Sequence, residues 1–171
     1  MIIKCSIVLI ATLLACIGCG AQSRSINRTT VSNLDVERYM GRWYEIARYD
    51  HRFERHLERC EAYYTLLPDG KISVVNTGID SRTGLPKTAY GKGRTTKTPG
   101  RLRVSFFLFF YSDYNILALD KDYRWVLVGS RSPKYLWILS RTPTLEREQL
   151  DEILNIARSR GYDTSKLLYV Q

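Results

Sequence analysis

The chain is short of the residues that metal chemistry uses. Two His and four Cys in 171 residues leave little material for a metal centre, and so few cysteines do not make a disulfide-stapled mini-protein. Acids are also scarce: 17 Asp and Glu stand against 26 Lys and Arg, for a net charge of +9. That balance suits an acidic partner such as phospholipid headgroups, anionic ligands or nucleic acid. No apolar run approaches the ~20 residues of a spanning helix. At 171 residues the chain is one domain plus at most a short appendage, which excludes a large multidomain enzyme. What is present is globular in kind, with 44% hydrophobic and 25% charged residues, far from a disordered composition. Twelve Tyr, five Phe and three Trp lean towards β structure or a ligand cavity.

Catalytic constellations are missing too. No Ser sits in a nucleophile elbow and no Gly-rich phosphate loop occurs. The carboxylates are scattered, with no pair whose surroundings would split their titrations. His51 and His56 share one loop at a spacing poor for a metal, and a solvated loop is the expectation there. The reading is a binding protein rather than an enzyme, with no cofactor.

The first residues concern location. Lys4 precedes the apolar stretch Ile7, Val8, Leu9, Ile10, Ala11, Leu13 and Leu14, and Ala15, Cys16, Gly18 and Cys19 follow. A cationic start, a short apolar run and small residues are the parts of a secretory signal. Leu13-Leu14-Ala15-Cys16 also resembles a bacterial lipoprotein cleavage box, with Cys16 the acylated residue and Cys19 the alternative; an ordinary signal peptide stays open. The expected division is a signal at 1–15, a polar tether at 16–30 and a domain at 31–171.

From Arg42 onward, β-type runs alternate with turn signals. The runs are 43–49, 62–67, 71–77, 88–95, 102–107, 114–119, 123–129 and 135–140, with Pro68-Asp69-Gly70 a strong hairpin turn. Eight strands without room for crossover helices should be antiparallel and close into an up-and-down barrel. Thr142-Pro143 is expected to cap one helix that presents Leu150, Ile153, Leu154 and Ala157 on one face and ends at Gly161. Residues 166–170 offer a short closing strand.

The motif residues carry a resemblance. Gly41-Arg42-Trp43 is similar to the Gly-x-Trp motif of lipocalins, Asp120 falls where the second motif lies with both flanking residues changed, and Arg141 matches the third. Tyr49-Asp50-His51-Arg52-Phe53-Glu54-Arg55, Tyr114-Asn115-Ile116-Leu117-Ala118-Leu119-Asp120 and Tyr135-Leu136-Trp137-Ile138-Leu139-Ser140-Arg141-Thr142-Pro143 resemble the bacterial outer-membrane lipocalins of the Blc type, relatives of apolipoprotein D. The resemblance implies an eight-stranded barrel, open at one end, that holds a lysophospholipid or fatty acid. It also implies a Gram-negative outer-membrane location, lipid-anchored and facing the periplasm, with no nucleic-acid partner and a homodimer left open. Gly41, Trp43, Asp120 and Arg141 would be structural, Arg141 lying over the Trp43 ring. Relatives pair a Cys near position 60 with one near the C-terminus; Cys60 has no such partner here and should be a free thiol.

With Trp43 at the closed end, the 50–59, 80–86, 107–113 and 130–134 loops fall at the mouth. Arg48, Arg52, Arg55, Arg59, Arg131 and Lys134 would gather there beside Phe53, Phe109, Phe110 and Tyr111, a cationic rim around an apolar cup. The resemblance turns Tyr64, Asn76, Tyr114 and Trp137 towards the ligand. Alternation adds Ala62, Ile72, Val74, Ile116, Tyr135 and Leu139. Two rival readings are a pigment, haem or retinoid carrier, and a barrel that acts by contact with its cup filled by side chains. Between 81 and 112 the chain has seven Lys and Arg and no acid, and behind a signal sequence anionic lipid is the favoured partner for that stretch.

The acylation reading makes a direct prediction. Cys16→Ala should abolish fatty-acid labelling and release the protein from membranes. Loss of label in Cys19→Ala instead would move the anchor to the other cysteine, and labelling that neither change affects would leave an ordinary secreted chain.

Overall fold

A computed structural model describes residues 25–171. The expected signal at 1–15, Cys16, Cys19 and the first part of the tether lie outside the described residues. Nine strands follow a short helix α1 (Val36–Tyr39): β1 (Gly41–Tyr49), β2 (Leu57–Leu66), β3 (Ile72–Asp80), β4 (Pro86–Thr95), β5 (Arg101–Ser105), β6 (Ser112–Leu119), β7 (Trp125–Gly129), β8 (Leu136–Ser140) and β9 (Leu167–Tyr169). Helix α2 (Arg147–Ser159) lies between β8 and β9. Every sequential pair from β2 to β8 is antiparallel, and β1 pairs with both β8 and β2. The eight strands therefore close on themselves, as the turn spacing predicts.

The inner and outer faces of the sheet bury different things. Trp43, Ala62, Tyr64, Ile72, Val74, Leu102, Ile116, Val126, Val128 and Leu139 fill the barrel. Ile46, Ala47, Leu117, Leu127, Leu136 and Ile138 face outward beneath Ile153 and Ala157 of α2. Period-2 alternation produces this division, but the register slips in three places, one of them in β2–β3 between Glu58 and Glu61. The β1–β8 register shifts between Glu45 and Ala47, and the β6–β7 register between Ile116 and Ala118. In β1 this bulge leaves Ala47 and Tyr49 under the helix side and puts Arg48 in contact with Glu45 and Cys60. A bulge re-aims side chains in just this way.

Strand β9 settles the upper seam. β1 pairs with β2 only over Gly41–Tyr44, and with β9 over Ala47–Tyr49. Arg59 donates its backbone N–H to Val170, and the Gln171 side-chain amide donates to the carbonyls of Glu45 and Cys60. The C-terminal residues thus bridge β1 and β2 where those strands part.

Three sequence expectations are corrected. Helix α2 starts at Arg147, behind Glu146 with no side-chain cap bond, rather than at Thr142-Pro143. Proline disfavours helix in the residue before it, and Thr142 is held instead by Ser140 and the Thr144 carbonyl. The tether, expected to be flexible, is docked at its described end: Asn27 N–H donates to the Arg160 carbonyl and Thr30 Oγ to the Pro99 carbonyl. His51 is buried, not solvated.

The closed end is built around Arg141. Its Cζ lies 3.8 Å from the centroid of the Trp43 ring. Its guanidinium donates to the carbonyls of Arg42 and Arg38 at 2.7 Å each, of Tyr39 at 3.2 Å and of Tyr123 at 3.3 Å. Trp43 Nε1 in turn donates to the Tyr39 carbonyl at 2.8 Å. Gly41 sits at φ +88°, with the space for a Cβ ending 3.5 Å from Arg141 Nη1; only glycine adopts that backbone freely. Asp120 accepts from Arg124 Nε at 2.9 Å and from two backbone N–H groups, which closes the β6–β7 turn. Arg141→Ala removes a cation–π contact and several charge-assisted hydrogen bonds, so we expect a loss of roughly 2–4 kcal/mol. Urea unfolding measures it, and ligand affinity at matched folded fraction should stay near wild type.

Candidate functional site

The cup is layered. At its base Tyr39, Tyr64 and Tyr114 converge: the Tyr39 and Tyr114 hydroxyls are 2.6 Å apart and the Tyr64 and Tyr114 hydroxyls 3.2 Å apart. Burial pushes all three phenols well above their ordinary value, so they act as neutral hydrogen-bonding groups. Among them lies a cavity of about 10 Å³, bounded by these tyrosines with Met40, Ile72, Val74, Gly93, Leu102 and Val104. That is room for about one water molecule. The lower cup is packed.

A charged layer crosses the barrel higher up. Arg48 donates to Glu45 Oε1 at 2.6 Å, to the Glu54 carbonyl at 2.6 Å and to the Leu57 carbonyl at 2.9 Å, with Cys60 Sγ 3.9 Å away. Glu54 reaches in from the β1–β2 loop. Its Oε2 accepts from Trp137 Nε1 at 3.1 Å and lies 2.9 Å from His51 Nε2. Burial and the facing Glu54 carboxylate push the Glu45 carboxyl up to about 8, against the pull of Arg48. Burial works against charge on Glu54 as well, but His51, Trp137 and Arg48 together hold it below the ordinary range. At neutral pH the layer therefore holds one carboxylate, one neutral carboxyl and the Arg48 cation. Burial first, then the nearby carboxylates, push the Cys60 thiol up to about 12. It is a free, buried and unreactive sulfur.

The wall residues named from sequence lie as follows. Ile72, Val74, Ile116, Leu139 and Tyr64 are buried in the inner cluster, with Tyr114 and Trp137 packed against it. Asn76 is half-buried, opposite Ala62, and its buried Oδ1 has no hydrogen-bond partner. Arg52 is exposed at the mouth. Phe53 stacks on Tyr135, which stacks on Trp137, at centroid distances of 5.9 and 5.8 Å. Arg48 needs correction. It is 2% exposed and paired inside the barrel, not free on the rim, because the β1 bulge turns it inward. Arg55 is engaged too, with Asp50 at 2.9 Å.

Sequence reasoning missed Tyr39, Met40, Glu45, His51 and Glu54. For Glu45 a signal existed: it lies two residues after Trp43, so alternation already turns it inward. His51 and Glu54 sit in a loop without periodicity, and their burial depends on the charge they meet in the barrel.

Comparisons with known proteins agree with this architecture. A family model described as a lipocalin-like domain matches residues 34–171. The chain is 46% identical over 157 residues to the outer membrane lipoprotein Blc of Escherichia coli K12, covering 91% of this chain and 89% of that protein. It is 34% identical to mouse apolipoprotein D, covering 79% and 75%. Among solved structures, insecticyanin from the tobacco hornworm superposes with a TM-score of 0.70 at 22% identity, covering 84% of this chain and 83% of that one, a likeness of fold.

The charged layer predicts a pH dependence. The Glu45 value is raised on folding from about 4.5 to about 8, so the protonated carboxyl is what folding favours. That contribution is complete below pH ~4.5 and is lost as pH rises through ~8. Glu45→Gln carries no such proton. The variant's stability relative to wild type should rise across this window by on the order of a few kcal/mol. Urea midpoints at pH 5, 7 and 9 measure it; a constant difference would show that Glu45 stays ionised beside Arg48.

Proposed function

The chain belongs to the lipocalin family, and from that premise we propose that it is a lipid-anchored outer-membrane carrier of lysophospholipid or fatty acid. Two orphaned polar groups in the cup carry the reading. Asn76 Oδ1 and Arg48 Nε are buried without a hydrogen-bond partner, and Glu54 Oε2 stands 3.9 Å from that Nε. Buried polar atoms are costly unless bonded. A ligand headgroup with both donors and acceptors satisfies one of each. Below this layer the wall is apolar, so an acyl chain points down towards Ile72 and Val74 and the polar head stays at the level of Arg48, beneath the exposed Arg52 and Arg131.

The packed base constrains how loading happens. A cavity of about 10 Å³ cannot hold an acyl chain, so the chain must part the side chains that bound it. Met40, unbranched and adaptable, is suited to move. Each methylene buried contributes about 0.8 kcal/mol, which drives the opening. The anchor and the location follow the relative's printed description as an outer membrane lipoprotein; no helix among the described residues is long and apolar enough to cross a membrane. The same small cavity favours a second reading, a barrel that acts by contact with its cup filled.

Titration of delipidated protein with lysophospholipid, fatty acid and monoacylglycerol of equal chain length separates the two. We expect about a tenfold preference for the phosphate-bearing ligand over the neutral one, shrinking as salt rises. Binding of no acyl ligand would favour the filled barrel. Tighter binding of retinol or haem would overturn the lipid reading.

A further inference from the structure

The open end carries an apolar surface that the cup does not explain. Between β5 and β6 the chain reads Phe106-Phe107-Leu108-Phe109-Phe110, and all five side chains are exposed, Phe109 by 83% and Phe110 by 73%. Antiparallel order places this loop at the same end as the β1–β2 and β3–β4 loops. Those present Phe53, 69% exposed, and Leu85, 60% exposed. Three neighbouring tips of one end are thus apolar in water. Single exposed apolar residues are ordinary, but a contiguous group marks an interaction face.

The 106–110 loop is a formed turn. Phe110 N–H donates to the Phe107 carbonyl at 3.1 Å, and Ser105 Oγ donates to the same carbonyl at 3.2 Å. The Phe107 and Phe110 rings stack at 6.2 Å, 14° from parallel. Leu108 takes φ +46°, a left-handed conformation unfavourable for a branched side chain. Phe106 alone turns towards the barrel: a Cβ at Gly91 would stand 2.8 Å from its ring. The other four side chains are each more than half exposed.

Charge selects the occupant. Behind the loop, Lys92 Nζ lies 5.7 Å from the Phe109 ring centroid and Arg94 Cζ 4.5 Å from that of Tyr111. Residues 81–112 contain no acid to oppose them. A second copy docked on the same patch would bring Lys87, Lys92 and Arg94 against their own counterparts, a like-charge meeting. An anionic lipid surface meets the cations with headgroups and the phenylalanines with acyl chains, in the arrangement of interfacial segments that sink about 5–10 Å.

We propose that the 106–110 loop, with Phe53 and Leu85 beside it, docks the mouth of the barrel onto an anionic bilayer. The cup then opens towards the lipid, and a lipid ligand can pass between them without crossing water. The docking does not depend on what the cup holds.

The test uses the full chain carrying Phe109→Trp, mixed with vesicles of equal parts phosphatidylcholine and phosphatidylglycerol that bear brominated acyl chains. The new tryptophan should shift to the blue and be quenched. Leu67→Trp, on the closed-end turn, should show neither change. An anchor alone would not separate the two sites. Adding Phe107→Ser and Phe110→Ser to the reporter should lower its quenched fraction about tenfold, and replacing Lys92 by Gln should weaken it about fivefold at low salt. Absence of quenching at position 109, or equal quenching at both sites, overturns the proposal. So does equal quenching in pure phosphatidylcholine. A blue shift that grows with protein concentration without vesicles would overturn it in favour of self-association.

Discussion

A barrel closes only if its first strand finds hydrogen-bond partners along both edges, and β1 does so with three neighbours. One edge runs along β8. The other is divided, with β2 below and β9 above. The division ties the two ends of the domain together, because β9 comes from beyond α2 and Gln171 caps the seam. It also accompanies the bulge at Glu45 to Ala47, which hands Ala47 to the helix side and brings Arg48 into the barrel. Packing of α2, closure of the upper seam and the presence of charge inside the cup are therefore parts of one arrangement.

The inward turn of Arg48 sets the chemistry above the floor. A guanidinium taken out of water is expensive unless it is paired and hydrogen-bonded. Here it is met by Glu45, by the carbonyls of Glu54 and Leu57 and, at longer range, by the Glu54 carboxylate. These contacts fold the β1–β2 loop inward, and the loop carries His51 and Glu54 against Trp137. Two carboxyls around one cation cannot both ionise cheaply, which is why the more deeply enclosed Glu45 keeps its proton to about pH 8. The layer restricts how far down a charged headgroup can sink. Below it the hydroxyls of Tyr39, Tyr64 and Tyr114 and the amide of Asn76 offer hydrogen bonds.

Much of the fold was legible because alternation and turn chemistry agree over most of the chain. Pro68-Asp69-Gly70 and Pro99-Gly100 separate runs whose inward residues, from Tyr64 and Ile72 to Ile116 and Leu139, do line the interior. The pairing of Trp43 with Arg141 was legible through its motif rather than through any periodicity. What escaped is what depends on register or on distant partners. A bulge adds one residue without changing composition, so a period of two counted from Trp43 turns Glu45 inward but leaves Arg48 on the wrong side. The burial of His51 follows from Glu54, whose backbone Arg48 holds, and from the distant rings of Tyr135 and Trp137, which no local pattern reveals. Helix α2 begins late because Thr142 and Arg141 are committed to the barrel floor. The phenylalanine run at 106–110 stood in plain view, but its exposure is a property of the turn that holds it out.

The two ends of the barrel answer different demands. At the closed end, Arg141 crosses α1, β1 and the β6–β7 turn with four hydrogen bonds and a ring contact, so movement there would break several charged contacts at once. β4 and β5 pair over only four residues, on the side of the closed-end turn at 96–100: Lys92 to Thr95 against Leu102 to Ser105. Above that point β4 and the 106–110 loop share no ladder hydrogen bonds. The wall can part on that side at little cost in backbone pairing, and local opening is easiest where paired backbone is sparse. The parting leads from the apolar loop to Gly91, Gly93 and the packed base of the cup, where Met40 and Val104 close the small cavity. Resistance to loading is thus concentrated in side chains that can repack, while the hydrogen-bonded frame that holds them stays closed.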